Sequence, residues 1–256
     1  MDRTHRKGGC GTAGRSVAAV LVLLAAAAAA PGPGDKGSYG KTVEAFEFAP
    51  GRPAMRTAVY EPSAGGAAKA RPLILALHYG GDVTPGYGAE FAEMLVLPAL
   101  KELGAVILAP DCPGRGWTDP ASEEAVLALV AWAKSTRSID ERRVAVTGFS
   151  MGGIGTYRLA ARHPEIFRAA VPVAGVPGKG DLEAAARVPL YIIHGEADEI
   201  IPLDEVRPAL EALQKEGADV RVVIVPGLTH YQTAAYVPAL KKAAGWLKRA
   251  WAGRRK

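Results

Sequence analysis

VAVTGFSMGGIGTYRLA, residues 144–160, runs from an apolar stretch into a helix-forming one through Gly148-Phe149-Ser150-Met151-Gly152. A serine on so sharp a strand-to-helix turn is held in a strained backbone conformation. Glycines two residues before and two after it let the chain pass close on either side. The turn lifts the serine Oγ above the strand ends and sets the following amide and the helix N-terminus beside it. In a chain with 30 glycines the bare G-x-S-x-G pattern is weak; the strand before it and the helix after it carry the signal.

On either side of this turn, short apolar runs alternate with helix-period segments. The candidate strands are Thr42–Phe48, Arg56–Tyr60, Pro72–His78, Ala105–Ala109, Val144–Gly148, Ala169–Val173, Pro189–His194 and Val220–Val225. Runs such as LILAL, AVIL and LYII are apolar throughout, as strands buried on both faces of a parallel sheet are. The candidate helices are Ala89–Lys101, Ser122–Lys134, Met151–Arg162, Asp204–Glu216 and Thr233–Trp251. Ser122 is read as an N-cap with acids in the first turn, Asp204 as the cap of the next helix, and Gly217 as a C-terminal stop. Alternation with short links predicts right-handed crossovers and one α/β domain, a mostly parallel eight-stranded sheet covered by helices on both faces. The first two strands have no helix between them and are expected to form an antiparallel hairpin at one edge. Only about fifteen residues separate the sixth and seventh strands, so no cap domain is expected.

A serine hydroxyl needs a base, and in such a fold the chain order is nucleophile, acid, histidine. Three histidines follow Ser150. His163 precedes Pro164 at a helix end and is read as a surface residue; His194 ends an apolar strand and is held by its neighbours. His230, in VVIVPGLTHY, follows the last strand on a loop free to reach the serine. Within HGEADEIIP, Asp198 is the best candidate acid, and the sequence leaves its neighbours Glu196 and Glu199 open beside it. The acid's role is to bind the histidine Nδ1–H, fix the tautomer and stabilise the imidazolium.

GFSMGGIGTYRLAARHPEIFRAAVPVAG, PLYIIHGEADEIIPLDE and VIVPGLTHYQTAAY together resemble the α/β-hydrolase superfamily. The nearest branch is the prolyl-oligopeptidase-like peptidase group, which grades into phospholipase/carboxylesterase and dienelactone-hydrolase relatives. The resemblance covers roughly residues 70–250 and implies Ser150, Asp198 and His230 as catalytic triad. One departure stands out after the third strand, where superfamily esterases read His-Gly and a small residue. Here the chain reads His78-Tyr79-Gly80-Gly81, which resembles the tyrosine-type oxyanion hole of prolyl-oligopeptidase-like enzymes. The expected oxyanion donors are therefore the Met151 amide with either the Tyr79 hydroxyl or the Gly80 amide. Trp117, in the loop after the fourth strand, and Tyr231, beside His230, are candidate pocket residues.

Composition narrows the rest. The formal charge of +5 sits at the ends: residues 31–240 carry 20 basic and 25 acidic residues, a balance unlike a nucleic-acid-binding face. Arg3, Arg6, Lys7 and Arg15 precede the apolar run Val17–Ala30, which reads as a signal peptide over residues 1–30 or an uncleaved anchor. Residues 31–41 read as a linker, 42–251 as the catalytic domain and 252–256 as a basic tail. No stable membrane span is expected once the signal is removed. Cys10 lies ahead of the apolar run, the wrong side for a lipoprotein cysteine, and Cys112, with no histidine motif beside it, does not read as a nucleophile. No metal motif or cofactor loop occurs. These readings converge on an exported serine hydrolase acting on short-chain or soluble esters through an acyl-enzyme. A serine peptidase taking short peptides, or a catalytically silent binding module on the same scaffold, are the alternatives.

Overall fold

The computed structural model describes residues 38–48, 51–52, 54–63, 70–215 and 219–253. The candidate signal peptide, most of the candidate linker, Gly217 and the last three residues of the basic tail lie outside them. One eight-stranded sheet organises the chain, in the order β1-β2-β4-β3-β5-β6-β7-β8. Its strands are β1 (Tyr39–Phe46), β2 (Met55–Pro62), β3 (Arg71–Leu77), β4 (Val106–Pro110), β5 (Ile139–Phe149), β6 (Ala169–Val173), β7 (Leu190–Gly195) and β8 (Val220–Val225). β1 pairs antiparallel with β2 at the edge, and β2 pairs antiparallel with β4. Every other pairing is parallel.

Alternate residues of each strand feed two cores. Leu73, Leu75, Leu77, Val144 and Val146 face one side, where α3 (Pro120–Thr136), α4 (Met151–Arg162), α5 (Asp181–Ala185) and α6 (Leu203–Lys215) pack. Ile74, Ala76, Ala145 and Phe149 face the other, under α1 (Tyr87–Phe91), α2 (Leu97–Leu100) and α7 (Val237–Gly253). Burial on both faces is why β4 and β6 are apolar at every position. Between β6 and β7, residues 174–189 carry only the short α5, and among the described residues no cap is inserted there.

Several expected boundaries move, each for a local reason. β1 starts at Tyr39, inside the expected linker, because it pairs with β2 along its whole length, Tyr39 opposite Pro62 and Phe46 opposite Met55. β5 extends back through Asp140-Glu141-Arg142-Arg143, where Asp140 holds Arg143 at 2.8 Å and Ile139 pairs with Arg71. Ser122 is not the cap of α3. Asp119 is, accepting from the Ala121 amide at 3.1 Å with Pro120 in the first turn, and Ser122 is buried one turn in. Asp204 likewise lies inside the first turn of α6 and does not precede it.

The expected helix Ala89–Lys101 begins at Tyr87 and widens to a π-turn over Ala92–Val96. That turn lies just before Pro98, which has no N–H to donate and needs room for its ring. The last helix opens with a 3₁₀ turn, Thr233–Tyr236, and becomes α-helical where Pro238 sits in the first turn of α7. His163, read as a surface residue, is half-buried: its Nε2 lies 2.7 Å from buried Glu123 and ties the end of α4 to α3.

Candidate active site

β3 and β5 are central neighbours, so the turn after β5 and the loop after β3 meet at the carboxyl edge of the sheet. Ser150 sits on the first of these with φ 55° and ψ −116°, a region that side-chain-bearing residues rarely occupy. Its amide donates to the Val173 carbonyl at 3.0 Å, and its carbonyl accepts the first α4 bond from Ile154 at 2.9 Å. The flanking glycines are forced by sterics. A Cβ on Gly148 would strike the Gly152 carbonyl, and a Cβ on Gly152 would strike that of Leu77. Met151, the first residue of α4, presents an N–H with no partner inside the helix.

His230 lies beside this serine, with Nε2 at 2.8 Å from Ser150 Oγ. On its other side, Nδ1 stands 2.9 and 2.8 Å from the two carboxylate oxygens of Asp198. A carboxylate only accepts, so the ring proton belongs on Nδ1 and the Nε2 lone pair faces the hydroxyl. Asp198 is buried, and its Oδ1 also accepts from the amides of Ile200 at 3.1 Å and Ile201 at 2.8 Å. Its two acidic neighbours are engaged elsewhere. Glu199 accepts from the His230 backbone amide at 2.9 Å, and Glu196 from the Gly227 amide at 3.1 Å. His194 lies beneath the acid, 3.7 Å from Asp198 Oδ2, donating from Nε2 to the Ile201 carbonyl at 2.8 Å.

The loop after β3 is braced from below by residues whose part the sequence did not reveal. His78, fully buried, accepts from the Cys112 amide at Nε2 (3.0 Å), so its Nδ1 carries the proton donated to the Tyr79 carbonyl (2.6 Å). Asp111 ties the start of the next helix, accepting from the amides of Gly86 and Gly88, both at 2.8 Å. Trp117 corrects the expectation of a pocket wall. It is 1% exposed, stacks edge-on against His78 and donates its indole N–H to the His78 carbonyl at 2.8 Å. It belongs to the core beneath the loop because a Cβ-less Gly155 on α4 leaves room for it. Burial pushes the Cys112 thiol up, away from thiolate chemistry.

Burial also pulls the His78 imidazole below its ordinary 6.5, the Tyr79 carbonyl and the Asp111 charge opposing the shift. Stability from this brace is therefore complete above pH 6.5 and is lost as pH falls from there through the lowered folded-state value. Protonation would place an N–H against the Cys112 amide. His78→Gln is expected to lower the melting temperature at pH 7.5 and to flatten its decline between pH 7 and 5; an unchanged slope would assign that decline to other groups.

A cleft of about 700 Å³ opens over the serine, lined by Tyr79, Gly80, Phe149, His230 and Tyr231 among others. Tyr79 packs edge-on against Tyr87, Phe91 and Phe149, with centroids 5.3, 5.9 and 6.3 Å away. No hydrogen bond to another described residue engages its hydroxyl. A Cβ on Gly80 would meet Met151 at 3.8 Å, and Tyr79 and Gly80 both line the cleft with Ser150. Among the described residues no group of three His, Cys, Asp or Glu side chains gathers as a metal site, and no helix is long and apolar enough to cross a membrane.

Known proteins are similar in sequence or fold. The sequence pattern of the dienelactone hydrolase family matches residues 93–252, a span that takes in Ser150, Asp198 and His230 but not the Tyr79 loop. Protein usf of Aquifex pyrophilus is 35% identical over 104 residues, 40% of this chain and 45% of that protein. The bifunctional acetylxylan esterase/xylanase XynS20E of Neocallimastix patriciarum is 30% identical over 158 residues, 60% of this chain and 23% of that protein. The match thus spans less than half the length of either curated relative. A solved ferulic acid esterase superposes with a TM-score of 0.67 at 16% identity, over 83% of this chain and 98% of that one, a likeness of fold.

Proposed function

This chain belongs to the dienelactone hydrolase family, and from that premise we infer that it is a carboxylic ester hydrolase working through Ser150, His230 and Asp198. One observation carries the reading: Ser150 Oγ, both nitrogens of His230 and the Asp198 carboxylate form a continuous relay of contacts between 2.8 and 2.9 Å. His230 takes the serine proton as Oγ attacks the ester carbonyl, then gives it to the departing alcohol. Water, deprotonated by the same nitrogen, opens the acyl-enzyme and frees the acid. The Met151 amide and the Tyr79 hydroxyl hold the oxyanion. Support for the hydroxyl comes from a ring fixed on three aromatic edges with its donor unused by other described residues. Tyr79→Phe is then expected to lower kcat by about 10²–10³-fold, the loss of one oxyanion donor. An unchanged kcat would pass the role to the Gly80 amide.

The uncapped cleft favours short-chain or soluble esters, and the names of the acetylxylan and ferulic acid esterases point the same way. Export belongs to this reading too and rests on the basic-then-apolar pattern of residues 3–30. The test is a p-nitrophenyl ester series from acetate to palmitate, with peptide p-nitroanilides alongside and a fluorophosphonate probe for the serine. Rapid turnover of short esters and labelling at Ser150 are expected. Cleavage of the anilides alone would make the protein a peptidase, and a folded protein that neither reacts nor labels would be a silent scaffold.

A further inference from the structure

Four large apolar side chains are exposed among the described residues: Val83, Met94, Ile200 and Tyr231. Single exposed apolar residues scattered over a surface need no explanation. These are not scattered. Met94, Ile200 and Tyr231 all line the cleft above Ser150, and Val83 lies three residues beyond Gly80 on the loop that borders it. They come from separate parts of the chain: the π-turn, the loop after β7, the loop after β8 and the loop after β3. Tyr231 is 76% exposed and stands edge-on to the His230 ring, with centroids 6.0 Å apart. It therefore stands beside the His230 imidazole at the mouth of the cleft.

The lining of the same cleft carries no Asp, Glu, Lys or Arg among the described residues. The carboxylates of Glu199 and Glu196 are fixed by backbone amides on the loops that carry His230. On the opposite flank, the hydroxyl of Tyr87 donates to the Gly80 carbonyl at 3.2 Å. Burial raises its pKa, and the nearby Tyr79, Glu90 and Asp82 raise it further. A substrate carboxylate brought beside a developing oxyanion here would find no cation in the lining and would face the carboxylates of Glu199 and Glu196 on the His230 side.

We propose, on the esterase reading above, that this cleft selects uncharged esters carrying an aromatic or bulky apolar group and rejects esters and lactones that bear a free carboxylate. Tyr231, Met94 and Ile200 form the apolar rim that binds that group, and the absence of a cation is the filter. The pair that tests it is p-nitrophenyl butyrate and p-nitrophenyl hydrogen succinate, in which a carboxylate replaces the terminal methyl and the leaving group is unchanged. At pH 7.5 and low salt, kcat/KM is expected to be about tenfold or more lower for the succinate, with the gap narrowing as salt screens the charge.

Two variants probe the rim directly. Ile200→Lys places a cation on an exposed position and is expected to raise the succinate-to-butyrate ratio of kcat/KM by about fivefold or more. Tyr231→Ala is expected to lower the ratio of 2-naphthyl acetate to trifluoroethyl acetate hydrolysis by about fivefold, through KM. Equal rates on the matched pair, or ratios unmoved in both variants, overturn the proposed selectivity and leave the esterase reading intact. No hydrolysis of any ester by folded protein that also ignores the fluorophosphonate probe overturns the esterase reading itself, and the selectivity with it.

Discussion

Replacing Ser150 with alanine is expected to lower kcat on a p-nitrophenyl ester by roughly 10⁵–10⁶-fold while leaving the protein folded. The size follows from what the hydroxyl does: without Oγ there is no nucleophile for His230 to activate, and attack by water lacks the acyl-enzyme route. Residual acceleration would come from the oxyanion donors and from binding alone. The fold should hold because the Ser150 side chain makes one hydrogen bond, to His230 Nε2, and alanine inherits the same backbone position at φ 55°. A stability change within about 1 kcal/mol is expected, read from denaturant unfolding. The measurement is kcat and KM for protein prepared free of wild-type carry-over. An activity loss under tenfold would remove Ser150 from the mechanism and turn attention to water activated directly by His230.

The serine turn was legible because its sterics demand glycine at fixed positions on either side of the serine. Gly148 and Gly152 are demanded by carbonyls of Gly152 and Leu77 that crowd the turn from either side, so the pattern in the chain is an imprint of the geometry. The histidine that lies beside Ser150 was legible by elimination, since His194 sits at the end of a buried strand and His163 at the end of a helix. Choosing the acid was harder, because Glu196, Asp198 and Glu199 lie on one loop and differ only in direction. Backbone amides of Ile200, Ile201, Gly227 and His230 sort them, and amide directions leave no mark in the sequence.

Trp117 was misread for a related reason. A tryptophan on a loop at the right edge of a sheet can face the cleft or the core. Here the choice rests on a gap over Gly155, far along the chain. His78 could have been suspected: like His194, it is a polar residue ending an apolar strand, a place where burial requires partners. Asp119 followed by Pro120 was also readable as a helix start, ahead of the serine that stood in for it.

Asp198→Asn is the second large effect, expected at about 10⁴-fold in kcat with little change in KM. The argument is one of donors and acceptors. Asp198 Oδ1 accepts from the amides of Ile200 and Ile201, so an asparagine must keep its carbonyl oxygen there. Its NH₂ group then takes the place of Oδ2 and points a donor at His230 Nδ1, which stands 2.8 Å away. Two donors cannot face each other, so the ring adopts the other tautomer and carries its proton on Nε2. That nitrogen is 2.8 Å from Ser150 Oγ and, once protonated, has no lone pair to accept the serine proton. His194, whose Nε2 is 3.7 Å from Oδ2, is already a donor to Ile201. Glu199→Gln serves as the comparison: its bond runs to the His230 backbone amide, which an amide oxygen accepts equally well, so its kcat should stay within about tenfold of wild type. A small loss in Asp198→Asn with a large one in Glu199→Gln would reverse the assignment of the acid. Large losses in both would mean that the placement of the His230 loop, more than the tautomer of its ring, limits the rate.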